Sequence, residues 1–163
     1  THGVQTILLR GGDFLDPDSA ETILRIIMLK GLAKGKVTAM GPAGVPRAWA
    51  WLPDMARAAA ELAGRRAELP AYSDIPFPGL TFSAEDLLAG LSALTGRPMR
   101  ITQFPWWTLR LAAPFWELGR ELLEMRYIYD VPHSLDPAPF TRLLPDFKGA
   151  DLETVLRAHL PAA

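Results

Sequence analysis

The order of apolar and polar residues along the chain predicts alternating strands and helices. The first apolar run, Val4–Arg10, is rich in β-branched residues and predicts a strand buried on both faces of a parallel sheet. Segments with apolar residues every three or four positions predict helices, and glycines follow several of them. The predicted strands lie at 4–10, 36–40, 48–52, 71–74 and 99–104, and the predicted helices at 18–34, 53–65, 84–95, 105–127 (bent near Pro114) and 151–159.

This alternation is typical of an α/β fold. The chain has 163 residues, which is near the usual size of one domain. We expect one fragment, because no linker divides it into two self-sufficient domains. No membrane span is expected, because the longest apolar cluster, at 23–32, is short and contains Arg25 and Lys30.

Composition and charge remove several classes of function. The 49% of hydrophobic residues exclude an intrinsically disordered protein. Seventeen basic and eighteen acidic side chains leave a formal charge of −1, so no positive field favours binding to nucleic acid. The chain has no cysteine, which excludes disulfides and thiolate zinc sites and is compatible with a cytoplasmic location. His2, His133 and His159 form no HxxxH or HxH pair, so we expect no metal site.

Three motifs that could carry chemistry favour a structural interpretation. The loop Gly41–Arg47 begins like a dinucleotide-binding fingerprint, but its glycine spacing is wrong and Pro42 and Pro46 prevent a helix from starting, which favours a plain turn. His133, in a turn-like stretch, is expected to contact backbone rather than act as a base. A solvated, salt-bridged helix face is favoured over acid–base chemistry for three glutamates spaced by helical turns: Glu117, Glu121 and Glu124.

Two arginines and one aromatic segment leave alternatives open. Arg10 ends a predicted parallel strand, where side chains point into a ligand crevice, and Arg47 stands between a Gly/Pro loop and two tryptophans. Either guanidinium could hold a diphosphate or form a structural ion pair. The aromatic segment 104–116 could line a ligand site or face a partner, but a place in the core is favoured.

Three segments taken together resemble a known family. They are VQTILLRGGDFLDP at 4–17, VPRAWAWLPDMARAA at 45–59 and PFPGLTFSAEDLLAGLSALTGRPMRI at 76–101. In order and spacing they resemble the extended short-chain dehydrogenase/reductases, the NAD-dependent epimerase/dehydratase family. The resemblance spans essentially the whole chain, but only as the C-terminal half of that family.

The resemblance implies an α/β fold made of the C-terminal part of a Rossmann-type parallel sheet and a smaller mixed α/β substrate-binding lobe. Residues 1–35 and 45–75 would contribute to the sheet region. Residues 36–44 and 76–163 would form the substrate-binding lobe and the C-terminal helices. The tail at 127–147 departs from the nucleotide-sugar pattern and looks more like a subgroup with undefined small substrates.

The resemblance also implies the candidate site residues. Arg10, Gly11, Gly12 and Phe14 would lie near the nicotinamide end of NAD or NADP in the complete protein. Phe14 would also border the substrate, together with two further residues, Arg47 and Trp49. Arg47 aligns with the arginine that holds the substrate diphosphate in nucleotide-sugar enzymes.

The resemblance also implies one residue with a structural role, and two motifs of the family are missing from the sequence. Asp54 aligns with an aspartate that braces the start of its helix. The cofactor fingerprint and the Tyr-x-x-x-Lys pair are absent from the sequence, so we assign no catalytic residue here and expect the isolated chain to be inactive and to bind no cofactor tightly. Because the chain also begins at Thr1, we expect it to be a C-terminal portion of a longer oxidoreductase or isomerase.

The expected partners follow from that interpretation. They are a small-molecule substrate, for which an anion is one candidate, and either the missing N-terminal half or a second copy of the chain, because an open sheet edge favours pairing. The alternative function is a non-catalytic binding or interaction module that retains the half-fold.

Overall fold

The computed structural model describes residues 3–160, which form two compact units. The first contains residues 3–22, 48–81 and 134–160, and the second contains residues 23–47 and 82–133. These boundaries are not those predicted from the sequence; for example, residues 23–35 belong to the second unit and residues 134–160 to the first. The assignment of a sheet region and a substrate-binding lobe stays a prediction.

Parallel strands from distant segments build the first unit. Strand β1 (Thr6–Arg10) pairs in parallel with β5 (Tyr72–Pro76). A second sheet has β4 (Arg47–Trp51) between β2 (Asp13–Leu15) and β6 (Leu80–Phe82), and β2 is parallel to β4. The predicted α/β fold with parallel strands is therefore confirmed.

Helices bury one face of these strands. They are α1 (Leu52–Gly64), α5 (Ala138–Leu143) and α6 (Leu152–His159). The core contains buried residues from β4, β5, α1 and α5 and from the segments that follow β5 and α5: Ala50, Ala58, Leu62, Ile75, Phe77, Phe140 and Leu144. Three phenylalanine rings in and beside it (those of residues 77, 140 and 147) meet edge to face.

Strand β1 is covered on one face only, so the expectation of a strand buried on both faces is wrong. Successive side chains of a strand point to opposite faces. Ile7 and Leu9 pack against the core, whereas Thr6, Leu8 and Arg10 are exposed, Leu8 by 42%. Apolar residues thus occupy both faces of β1 although only one face is covered in the described chain.

Asp54 fastens the C-terminal segment to the first turn of α1. Its carboxylate is buried, and Oδ1 lies 2.7 Å from Nη2 of Arg57 while Oδ2 accepts a hydrogen bond of 2.6 Å from the N–H of Ala150. The same Nη2 also donates to the carbonyl of Lys148 at 2.7 Å. The expected bracing role of Asp54 agrees with this geometry, which joins residues 96 positions apart.

The second unit pairs β3 (Lys36–Ala39) in parallel with β7 (Arg100–Gln103), and α2 (Ala84–Thr95) packs on both strands. Leu87 and Leu91 are the fully buried side chains of α2, one turn apart on the same face. The remaining helices are α3 (Trp106–Ala112) and α4 (Glu117–Glu124), which pack together.

The structure confirms the capping box predicted at the start of α2 and the glycine predicted at its end. The hydroxyl of Ser83 accepts from the N–H of Asp86 at 3.2 Å, and the carboxylate of Asp86 accepts from the N–H of Ser83 at 2.8 Å. This reciprocal pair is the predicted capping box. At the other end Gly96 adopts a φ of 63°, a left-handed conformation that glycine adopts without steric cost.

Two predicted helices are wrong in extent. In place of the helix at 18–34 there are a π-helical turn, Leu24–Met28, and a 3₁₀ turn, Leu32–Lys34. The chain turns back at Gly31, whose carbonyl accepts from the N–H groups of Lys34 and Lys36, and it enters β3 directly.

The helix expected at 105–127 is broken rather than bent. It consists of α3, α4 and a 3₁₀ turn, Met125–Tyr129. Pro114 follows the end of α3 and supplies no N–H for continuing it, and Trp116 is extended, with φ −137° and ψ 104°. No helix within residues 3–160 is both long enough and apolar enough to cross a membrane.

The capping box predicts a pH-dependent contribution to stability. The hydroxyl and the backbone N–H of Ser83 lower the pKa of Asp86 by donating hydrogen bonds to the ionised carboxylate. Asp86 therefore stabilises the fold near neutral pH, and the contribution disappears as the pH falls through that lowered pKa. In urea unfolding, Ser83→Ala is expected to cost about 1 kcal/mol near neutral pH. The difference between the original chain and Asp86→Asn is expected to shrink as the pH falls below the ordinary aspartate pKa of about 3.9; an unchanged difference would contradict this account.

The bracing role of Asp54 predicts a larger effect. Asp54→Ala leaves the N–H of Ala150 without its acceptor and the guanidinium of Arg57 without its carboxylate partner, so we expect the free energy of unfolding to fall by about 2–4 kcal/mol. The matched control is Glu153→Ala, which breaks an exposed pair with Arg157 and is expected to cost about 0.5 kcal/mol. Equal losses in the two variants would show that Asp54 does not brace the unit.

Candidate functional site

The predicted cofactor-facing residues lie together where β1 ends and β2 begins. Arg10 is the last residue of β1, Gly11 and Gly12 follow it, and Phe14 is the middle residue of β2. Phe14 is 53% exposed, and its ring borders the space beside Gly11, where an added Cβ would lie 3.4 Å from Cε1. This turn therefore places one cation and one aromatic ring beside two residues that have no side chain.

Packing against β4 explains why two glycines stand there. A Cβ on Gly12 would lie 2.1 Å from the carbonyl oxygen of Ala48, and one on Gly11 would lie 2.7 Å from Cβ of Ala50. Neither distance is compatible with a side chain, so both glycines allow β2 and β4 to approach each other. This space is filled by protein atoms and does not form a cradle for a ligand. Contact of Gly11 and Gly12 with a cofactor stays a prediction.

Arg10 forms an ion pair across the β1–β5 sheet. Its Nε donates to Oδ1 of Asp74 at 2.6 Å, and this carboxylate raises the pKa of Arg10 above its ordinary value. The structural ion pair, one of the two alternatives predicted for Arg10, is thus present. The side chain is also half exposed, so the paired guanidinium remains accessible to solvent.

Arg47 belongs to the second unit, where the segment after α4 positions it. Its Nη1 donates to the carbonyl of Ile128, and its guanidinium carbon lies 4.4 Å from the centre of the Tyr129 ring. The Tyr129 ring is buried beside Trp106, whose centroid is 5.9 Å away and whose indole N–H bonds to the carbonyl of Met40. A rigid aromatic support therefore holds the Arg47 guanidinium plane.

This support was not predicted from the sequence, because the partners of Arg47 lie more than 80 positions away. The loop before Arg47 is the expected turn, and the N–H of His133 donates to the carbonyl of Pro46 at 3.0 Å. Trp49 belongs to the first unit and is only 2% exposed. Packing is the role that the structure displays for Trp49, and its contact with a substrate stays a prediction.

The other candidates are structural or exposed. His159 is buried, its Nδ1 lies 2.8 Å from the carbonyl of Val155, and His2 lies outside the described residues. Within residues 3–160 no cluster of three metal-ligating side chains occurs. The glutamates of α4 are exposed, as expected. Within residues 3–160, however, they make none of the expected salt bridges.

A small cavity in the first unit was not predicted. It has a volume of about 140 Å³ and lies among Phe77, Phe140, Phe147 and Leu144, with the carboxylate of Asp54 at its wall. The segment before β6 and helix α5 form much of the lining, and neither β6 nor α5 was predicted from the sequence. The Asp54 carboxylate already accepts from Arg57 and Ala150, so it does not require a ligand.

Comparison with known proteins gives similarity in structure only. No protein-family model and no curated protein sequence matches the chain. UDP-glucuronic acid 4-epimerase from Bacillus cereus, solved with UDP-glucuronic acid and NAD, has a TM-score of 0.64 at 14% identity, and the match covers 93% of this chain and 43% of that one. A GalE-like L-threonine dehydrogenase from Cupriavidus necator has a TM-score of 0.65 at 17% identity, with 97% and 53% covered. A dTDP-glucose 4,6-dehydratase from Streptomyces venezuelae, solved with NAD, has a TM-score of 0.59 at 17% identity, with 98% and 45% covered.

The chain spans about half the length of these structures. Nearly all of it is matched, and the matched structures include an epimerase and a dehydratase, the enzyme types that the sequence resemblance indicates. The family resemblance is thus confirmed at the level of the fold. The chain has the fold of about half of an NAD-dependent epimerase/dehydratase of the extended short-chain dehydrogenase/reductase type.

Proposed function

We propose that the chain is the substrate-binding portion of an NAD(P)-dependent epimerase/dehydratase-like oxidoreductase. The observation that carries the proposal is the fold match over more than nine-tenths of the chain to an epimerase, a dehydratase and a dehydrogenase. Two of those structures contain NAD, and one also contains a sugar nucleotide. The remainder of such an enzyme would supply the cofactor fingerprint and the Tyr-x-x-x-Lys pair.

Arg47 is the residue that we assign to the substrate. Its guanidinium carries five N–H donors in one plane, which match two oxygens of a diphosphate at once. The carbonyl of Ile128 and the ring of Tyr129 fix the orientation of that plane before a ligand arrives. An orientation fixed in advance lowers the entropy lost on binding, which favours Arg47 as an anion ligand.

The turn after β1 is assigned to the nicotinamide side. Phe14 offers an exposed ring for stacking, and Arg10 keeps a half-exposed guanidinium beside Asp74. The chemistry supplied by bound NAD or NADP is hydride transfer. The residues of this chain would position substrate and cofactor, and we assign no proton-transfer role to any of them. The expected cytoplasmic location stays a prediction.

The alternative proposal is a non-catalytic interaction module. One observation favours it, namely that Trp107, Leu111 and Phe115 on and after α3 are strongly exposed. Large apolar side chains that cluster on a surface mark contact sites for other molecules. The two functions are separable, because the first requires binding of a small anion and the second does not.

One prediction of this function concerns the cofactor. The isolated chain is expected to bind NAD or NADH with a dissociation constant well above 1 μM, because the glycine-rich turn that carries the pyrophosphate is not in this sequence. Isothermal titration calorimetry measures this directly. A dissociation constant below about 1 μM would contradict the assignment of cofactor binding to another portion.

Another prediction of this function concerns Arg47. We expect UDP to bind the chain, and Arg47→Gln to weaken this binding about tenfold or more, because a charge-assisted hydrogen bond contributes about 1.5–3 kcal/mol. Arg157→Gln is the matched control, since Arg157 is an exposed arginine paired with Glu153. Thermal unfolding of each variant separates a loss of affinity from a loss of fold. UDP affinity that is absent, or that Arg47→Gln leaves unchanged, would contradict the proposal.

A further inference from the structure

The cavity of the first unit has the size and the lining of a binding site for one small ring. Its volume of about 140 Å³ is close to the roughly 150 Å³ of an apolar protein cavity that binds benzene. Three of its lining residues, at positions 79, 141 and 145, are exposed and mark the side from which a ligand can enter. Apolar side chains form most of the remaining lining: Phe77, Pro78, Leu80, Phe140, Leu144 and Phe147.

The phenylalanine rings of this lining favour an aromatic ligand. The centre of the Phe140 ring lies 5.3 Å from that of Phe147 and 5.4 Å from that of Phe77, at interplanar angles of 89° and 78°. Such perpendicular packing brings the positive edge of one ring to the negative face of the next. A further ring in the cavity can continue this packing. A flexible aliphatic chain would lose more conformational freedom when held there.

The carboxylate of Asp54 adds a hydrogen-bond acceptor to the wall of the cavity, although the residue is only 6% exposed. An ionised carboxylate can accept about four hydrogen bonds. Two of these positions are filled, one at Oδ1 by Nη2 of Arg57 and one at Oδ2 by the N–H of Ala150. A donor on a ligand can therefore bond to the same carboxylate, and a charged acceptor makes such a bond stronger than one between neutral groups.

The charges beside the cavity favour a neutral ligand. Arg57 lies 2.7 Å from the Asp54 carboxylate, and its guanidinium carbon lies 4.7 Å from the centre of the Phe147 ring. A cationic ligand would be repelled by this arginine, and an anionic ligand would be repelled by the carboxylate. Both repulsions are strong in a buried site, where water does not screen them. The lining and the charges together fit a neutral aromatic ring with one donor, the chemistry of phenol.

We propose that this cavity is a binding site for a neutral, single-ring aromatic compound that carries one hydrogen-bond donor. The ring would pack against Phe77, Phe140 and Leu144, and the donor would bond to the carboxylate of Asp54. The site belongs to the first unit, whereas Arg47 belongs to the second. Because the proposal requires neither UDP nor a cofactor, its failure and the failure of the proposed function are distinguishable.

Calorimetric titration of the full chain with phenol tests the proposal. We expect saturable binding at one site per chain, and nuclear Overhauser effects from the phenol ring to Phe140 and Leu144. A cavity without an acceptor would bind toluene more tightly than phenol, because an unbonded hydroxyl is costly to bury. Here phenol is expected to bind at least as tightly as toluene. Benzoate, which is ionised at neutral pH, is expected to give no Overhauser effect to Phe140.

Blocking the entrance tests the location of the site. Thr141 is an exposed residue of α5 that lines the cavity, so a tryptophan there covers the entrance without entering the core. Thr141→Trp is expected to weaken phenol binding by about tenfold or more, because the ring can no longer be buried. The matched control is Thr154→Trp, at an exposed position of α6 in the same unit but outside the lining. It is expected to change the affinity by less than about twofold, since separate sites act independently.

Several results would overturn the proposal. They are the absence of saturable phenol binding at millimolar concentrations, tighter binding of toluene than of phenol, an Overhauser effect from benzoate to Phe140, or equal phenol affinity in the two tryptophan variants. Thermal unfolding verifies that both variants are folded. If Thr141→Trp does not fold, the Overhauser effects in the original chain decide, and their absence at Phe140 and Leu144 overturns the proposal.

Discussion

Parallel pairing between distant segments is the constraint on which the rest of the structure depends. β1 meets β5 across more than 60 positions, and β3 meets β7 across a similar interval. Each parallel pair requires a long crossover, which must also supply the helix that covers the sheet. In the first unit the crossover between β1 and β5 contains β4, α1 and the whole first segment of the second unit. The close packing of β4 then determines which residues can stand beside it.

That packing gives a structural role to the two glycines that were predicted to contact a cofactor. An added Cβ at Gly12 would lie 2.1 Å from the carbonyl oxygen of Ala48, and one at Gly11 would lie 2.7 Å from Cβ of Ala50. Both glycines are therefore needed for close approach of the backbones, whatever is bound nearby. The same residues can serve the fold and border a ligand, but only the first role follows from their geometry. Arg47 differs, because its support by Tyr129 orients a charged group instead of closing a gap.

The sequence predicted the elements whose signals are local. The capping box of Ser83 and Asp86, the glycine after α2 and the β-branched run of β1 all act within a few residues, and the structure contains each of them. Prediction from the sequence failed for elements whose position depends on contacts between distant segments. The short strands β2 and β6 exist because β4 lies between them, and the turn at Gly31 leads directly into β3. At the candidate site the residue types were identifiable, but the Asp74 partner of Arg10 and the Tyr129 support of Arg47 come from segments far along the chain.

The central claim is that this chain itself holds the anionic part of a substrate through Arg47. Nuclear magnetic resonance of the arginine Nε–Hε groups during titration with UDP tests it most directly, because each guanidinium reports separately. The account predicts a saturable shift of the Arg47 signal, while the signal of Arg157, which pairs with Glu153, stays in place. A saturable response at other arginines with an unchanged Arg47 signal would contradict it.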